Sequence, residues 1–200
     1  MFKLLCIVIG YFMGCIQSAY IVGKFNHKDI RKYGSGNLGT TNALRVLGKK
    51  AGFVTFVCDI MKAVIAFVIC YNVFGKNVEA GVYAGLGVVL GHDFTFYLGF
   101  KGGKGIAATI GLVLCLAVTV SPYIALVSFV IGIIGVALKG YVSMGSICFI
   151  CLVPVMCYFM HADAEITVIT AFLAALALYQ HRSNIVRIVS GNENTLYKKK

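Results

Sequence analysis

The chain of 200 residues has no tryptophan, only two prolines and only seven acidic residues. Each scarcity excludes something. Without Trp, the commonest anchor at a membrane–water interface is missing, and the 11 tyrosines are left to serve there. Seven carboxylates spread along the chain form no DxxD-type set of the kind a metal-dependent phosphotransferase needs. The four histidines show neither HExxH nor HxxxH spacing, so no zinc site is expected. Charged residues make up 12% of the chain against 60% hydrophobic, with mean hydropathy +0.89. An ordinary soluble domain cannot hide that much apolar side chain, which leaves an integral membrane protein. The net charge of +11 sits in short gaps between apolar runs. Anionic lipid or an anionic substrate therefore accounts for it better than nucleic acid does.

Seven apolar stretches stand out, at Phe2–Gly23, Phe53–Phe74, Ala80–Phe100, Ile106–Val120, Pro122–Leu138, Val142–His161 and Ile166–Gln180. Read as one helix, the uncharged Ile106–Leu138 stretch would be about 50 Å long, well beyond a bilayer core. Ser121-Pro122 supplies the break, since proline restricts its predecessor and starts helices well. The expected fold is an all-α integral membrane protein, a single polytopic domain over 1–200 with seven transmembrane helices. Its N-terminus lies outside and its C-terminus in the cytoplasm. That arrangement places Lys24, Lys28, Arg31, Lys32, Arg45, Lys49 and Lys50, then Lys101 and Lys104, Lys139, and finally Arg182, Arg187 and Lys198–Lys200 inside. Fifteen cations then lie inside against Lys3 and Lys76 outside, whereas six spans give a split of nine to eight. The first run is too long for a signal peptide and lacks a small-residue cleavage site. Gly10/Gly14, Gly81/Gly85 and Gly87/Gly91 have the spacing that permits close helix approach. The eight cysteines lie almost entirely in apolar runs, where they act as small filler.

Two inside gaps carry more than generic loop chemistry. The first, Gly34-Ser35-Gly36-Asn37-Leu38-Gly39-Thr40-Thr41-Asn42-Ala43-Leu44-Arg45, has GxGxxG spacing but no strand before it, so it is no dinucleotide fingerprint. Its glycines allow backbone N–H groups to converge on a phosphate, with Ser35, Asn37, Thr41 and Asn42 as further donors and Arg45 as a two-point partner. The bland alternative is a flexible polar loop. The second gap, Phe100-Lys101-Gly102-Gly103-Lys104-Gly105, is not a Walker A run, because Leu98 and Gly105 stand where Gly and Ser/Thr are required. Lys101 and Lys104 around Gly102 and Gly103 are expected to form an anion-attracting nest, or else to anchor topology alone. Asp59 and Lys62, at i, i+3 inside the second span, read equally as a functional or a mutually neutralising pair. His92 reads equally as a structural or a catalytic group. His181, Asn184 and Arg187 share one helix face, and Ser143 with Ser146 opens the sixth helix. The HxxxxD pair of acyl-thioester-dependent acyltransferases is absent after every histidine.

These motifs, GSGNLGTTNALR (34–45), Asp59 with Lys62, GHDFTFYLGFKGGKGIAAT (91–109), Ser143 and HRSNIVRIVSGNE (181–193), resemble the bacterial membrane acyl-phosphate:glycerol-3-phosphate acyltransferases of the PlsY type. The resemblance implies transfer of a fatty acyl group from acyl phosphate to the 1-hydroxyl of glycerol 3-phosphate at the cytoplasmic face of the bacterial inner membrane. It implies catalytic positions at Ser35, Arg45, Lys104, Ser143, His181 and Asn184. Substrate binding would fall to Gly36, Asn37, Gly39, Thr41, Asn42, Lys101, Gly102 and Gly103. No cofactor, metal or nucleic acid is expected; the partners are the two phosphate substrates and membrane lipid. The competing readings are a small-anion or phosphate transporter and a lipid-scaffolding protein. A transporter would usually place its site near the midplane between paired repeats, and no half-to-half repeat is present.

Overall fold

The computed structural model describes residues 1–196; Lys198, Lys199 and Lys200, counted above among the inside cations, lie outside the described residues. The described residues form ten α-helices, two short 3₁₀ turns and no strand. The helices are α1 (Phe2–Gly14), α2 (Ser18–Phe25), α3 (Thr40–Leu47), α4 (Lys49–Val73), α5 (Val78–Asp93), α6 (Ile106–Thr119), α7 (Pro122–Lys139), α8 (Val142–Phe159), α9 (Ala164–Gln180) and α10 (Arg182–Val189). The chain divides into two compact units, Met1–Cys115 and Leu116–Lys200, with the boundary inside α6.

Each apolar stretch contains at least one α-helix, but their lengths differ. Four segments are long and apolar enough to cross a membrane: Phe2–Phe25, Lys49–Val73, Pro122–Lys139 and Val142–Phe159. Ala164–Gln180 with Arg182–Val189, bent by 60°, makes a fifth if the pair is one span. The expected third span, Ala80–Phe100, is not one helix. α5 stops at Asp93, and Gly99 (φ +67°) and Phe100 (φ +56°) take left-handed backbone beyond a 3₁₀ turn at Phe96–Leu98. Its 16 residues cover about 24 Å and the 14 of α6 about 21 Å, short of a hydrocarbon core about 30 Å thick. The first run is also interrupted, between Gly14 and Ser18, where Gln17 is extended (φ −86°, ψ 90°).

In the first unit, α1 and α5 pack through a reciprocal glycine seam. A Cβ at Gly10 or Gly14 would collide with the backbone of Ala84 or Val88, and one at Gly87 or Gly91 with that of Ile7 or Tyr11. Two of the three glycine pairs thus pack against each other's helix, which brings the backbones close enough for dense dispersion contact. Gly81 and Gly85 face the Phe67 ring and Leu112 instead. In the second unit, Gly132 and Gly135 of α7 approach Phe149, Gly145 and Cys148 of α8, beside a Phe129–Phe149 ring pair with centroids 5.1 Å apart. All eight cysteines are free thiols.

Candidate active site

The first unit carries two loops and a buried polar knot. In the loop before α3, Gly34 (φ +62°) and Gly36 (φ +70°) take left-handed turns. Asn42, buried on α3, organises them. Its Oδ1 accepts the Ser35 amide at 2.9 Å, and its Nδ2 donates to the carbonyls of Ile30 and Tyr33 at 3.2 Å each. The Gly36 amide donates to Tyr33 O at 3.0 Å. The expected convergence of amides on a phosphate is therefore not how the front of this loop is built: the Ser35 and Gly36 N–H groups and the Asn42 amide close the loop on itself. Gly39 caps α3 from an extended conformation (φ −143°), with Asn37 beside it. Outward-facing chemistry remains in the side chains of Ser35, Thr41 and Arg45, which are exposed and hold no hydrogen bond or ion pair among the described residues. That separates Arg45 from the other arginines. Arg31 forms a two-point pair with Asp29 (2.9 and 2.8 Å) and lies on the Tyr20 ring. That pairing holds the Asp29 carboxyl down at about 2. Arg182 sits over Tyr179, and Arg187 pairs with Glu193 at 2.8 Å.

The second loop also departs from the expected nest. The Gly102 amide donates to Asp93 O and the Gly103 amide to His92 O, each at 3.0 Å. Both N–H groups satisfy the C-terminal carbonyls of α5. The absence of a Cβ serves close approach, since a side chain at Gly102 would strike His92 O and one at Gly103 the imidazole of His92. Any anion contact here falls to Lys101, which is exposed, and Lys104, which is half-buried.

Below these loops lies the knot. Lys62 (6% exposed) and Asp59 (1%) form an ion pair at 2.9 Å. Ser18 donates to the same Asp59 oxygen at 2.8 Å. The Lys62 ammonium also donates to Gly14 O (3.1 Å), Ile16 O (2.9 Å) and His92 Nδ1 (2.9 Å). Tyr97 donates to Cys15 O at 2.6 Å. Gln17 donates to His92 O (2.7 Å) and to Thr95 Oγ1 (2.5 Å), whose hydroxyl donates to Gly91 O (2.7 Å). A helix break inside an apolar environment leaves carbonyls that must find donors; here Lys62 and Tyr97 supply them. Gln17, Ser18, Thr95 and Tyr97 escaped the sequence reading, although the adjacent polar pair Gln17-Ser18 within an apolar run is a visible signal.

The second unit gathers the remaining positions around Glu193, which is 8% exposed. Its Oε1 accepts from Ser143 Oγ (3.1 Å) and Asn184 Nδ2 (2.8 Å), and its Oε2 pairs with Arg187. Ser143 thus orients on a carboxylate and leaves the capping of α8 alone, while Ser146 donates to Val142 O within the helix. His181 is buried at the bend between α9 and α10. Its Nδ1 donates to Ala177 O at 2.8 Å, so in the neutral ring the lone pair is on Nε2.

These features define a helical membrane enzyme with one polar cluster in each unit. Residues 4–191 match the family model described as glycerol-3-phosphate acyltransferase. A glycerol-3-phosphate acyltransferase of Thermoanaerobacter pseudethanolicus is 42% identical over 200 residues, covering 100% of this chain and 98% of that one. Two crystal structures of PlsY, an integral membrane glycerol 3-phosphate acyltransferase, superpose closely. The glycerol 3-phosphate form has TM-score 0.89 at 34% identity, covering 98% of this chain and 96% of that one. The lysophosphatidic acid form has TM-score 0.86 at 33% identity, covering 98% and 95%. The chain belongs to the glycerol-3-phosphate acyltransferase family.

Proposed function

We propose that this chain transfers a fatty acyl group from acyl phosphate to the 1-hydroxyl of glycerol 3-phosphate, giving lysophosphatidic acid and phosphate as an early step of phospholipid synthesis. The observation that carries the reading is the full-length match to structures in glycerol 3-phosphate and lysophosphatidic acid forms. The hydroxyl oxygen attacks the acyl carbonyl, the new ester C–O bond forms, and the bond from that carbon to the phosphate oxygen breaks. Phosphate leaves with the electron pair. The mixed anhydride is already activated, so the step balances without metal, cofactor or covalent enzyme intermediate. Arg45 and Lys104 hold phosphate and stabilise developing negative charge, with Ser35, Thr41 and Lys101 as neighbouring donors. Ser143 and Asn184, fixed by Glu193, orient substrate.

Purified protein given acyl phosphate and glycerol 3-phosphate is expected to release lysophosphatidic acid and phosphate in equal amounts, undiminished by EDTA. Abolition by EDTA, or equal use of acyl-CoA, would overturn the reading. Uptake of phosphate into proteoliposomes without product would mark a transporter.

His181 Nε2 is suited to take the hydroxyl proton, because the Ala177 contact fixes the tautomer that a base requires. His181→Asn retains an N–H for Ala177 O and removes the base. It is expected to lower kcat by about a hundredfold or more. A fall of less than about threefold, with the acid limb of the pH–rate profile intact, would assign the proton to a substrate phosphate oxygen.

For topology we propose one catalytic domain with seven spans, the N-terminus outside, and the Gly34–Arg45 loop and C-terminus facing the cytoplasm of a bacterial inner membrane. The support is the fifteen-to-two division of cations. Cysteines introduced at Lys49 and Ser190 should resist an impermeant reagent in intact cells and label after permeabilisation. Labelling of Ser190→Cys from outside would refute the arrangement.

A further inference from the structure

We infer that His92 is a positioning residue that sets the Lys101–Lys104 loop from beneath. This rests on the proposed phosphate role of Lys104. His92 is 3% exposed, at the C-terminal end of α5, and grips the loop at two points. Its carbonyl accepts the Gly103 amide, and its imidazole edge at Nε2 occupies the space a Cβ at position 103 would fill. The other side of the ring is held equally firmly. Nδ1 takes a donor from the Lys62 ammonium at 2.9 Å, which places the ring proton on Nε2. Lys62 is in turn fixed by Asp59 and by the carbonyls of the α1–α2 break. The carbonyl of His92 also accepts from Gln17. The imidazole is a rigid spacer between an anchored ammonium and a glycine backbone one residue before Lys104. A basic side chain that must meet a phosphate needs its backbone held to a fraction of an ångström, and loops acquire that precision only from a packed supporting shell.

His92→Asn tests this, because its Oδ1 can still accept from Lys62 while the ring edge under Gly103 is lost. Gly103→Ala displaces the same contact from the opposite side. Both variants are expected to raise KM for a phosphate substrate by about tenfold or more, with kcat changing less. In the Lys104→Ala background, His92→Asn should add less than about threefold, because its effect runs through that lysine. Hydrogen exchange reads the contact without any assay. Amides of 99–106 should exchange about tenfold faster in His92→Asn, while those of α4 keep their parent rates. Parent KM, or full additivity with Lys104→Ala, would overturn the inference. Unchanged exchange at 99–106 would overturn it even if the parent protein proved to have no acyltransferase activity, whereas altered exchange with an inactive parent would sustain the contact and reject the functional reading alone.

Discussion

Arg45→Ala is expected to lower kcat/KM for glycerol 3-phosphate by about a hundredfold or more, with no loss of thermal stability. The two halves of that expectation have separate causes. Arg45 is exposed on α3 and has no intramolecular partner among the described residues, so its removal orphans nothing in the fold. Substitutions at such sites usually stay within about 0.5 kcal/mol. A phosphate bound there would lose a charge-assisted contact worth about 1.5–3 kcal/mol, and more if the contact strengthens as charge develops on the acyl oxygen or leaving phosphate. Arg45→Lys should recover little, since an ammonium lacks the planar two-point fork. Lys49→Ala and Lys50→Ala, exposed at the start of α4, are the matched controls and should turn over normally. Arg45→Ala behaving like them in kcat/KM would move the phosphate site elsewhere.

Asp59→Asn should instead unfold the protein early. Asp59 and Lys62 are both buried, and the carboxylate is the anion paired with Lys62. Neutralising it leaves an ammonium in a low-dielectric interior, at a cost of about 3–5 kcal/mol. For a chain of this size that corresponds to a melting temperature lower by about 10 °C. Asp59→Asn/Lys62→Met removes the uncompensated charge, but also the donor to Gly14 O and Ile16 O, so only part of the loss should return. Detergent-phase melts of the parent and both variants measure this directly. A single variant melting within about 1 °C of the parent would mean the pair is solvated, contrary to its burial.

The amino-acid sequence determined the helical class, since its apolar runs leave no soluble alternative. It determined the Asp59–Lys62 pairing through i, i+3 spacing, and most of the glycine contacts through small-residue spacing. It marked Arg45 and His181 as candidates, because each is a polar residue in a gap between apolar runs. All of these follow from composition, from where polar residues interrupt apolar runs, and from spacings of a few residues. What the sequence left open depends on which donor meets which acceptor, whether 9 positions apart, as Asn184 and Glu193 are, or 82, as Tyr97 and Cys15 are. The break at Cys15–Gln17 contains neither glycine nor proline; it persists because Lys62, Tyr97 and Thr95 supply hydrogen-bond partners from other elements. The glycines of both loops read as phosphate cradles, because a glycine's lack of a side chain is visible while the acceptor facing its amide is not. Tyr33, His92 and Asp93 supplied those acceptors. Glu193 stands in the sequence only as the end of the HRSNIVRIVSGNE motif, and tertiary packing gathered Ser143, Asn184 and Arg187 around it. Local spacing reports which face a side chain shares; where a buried donor meets its acceptor is decided by packing, because every polar group removed from water must find a partner wherever the fold brings one.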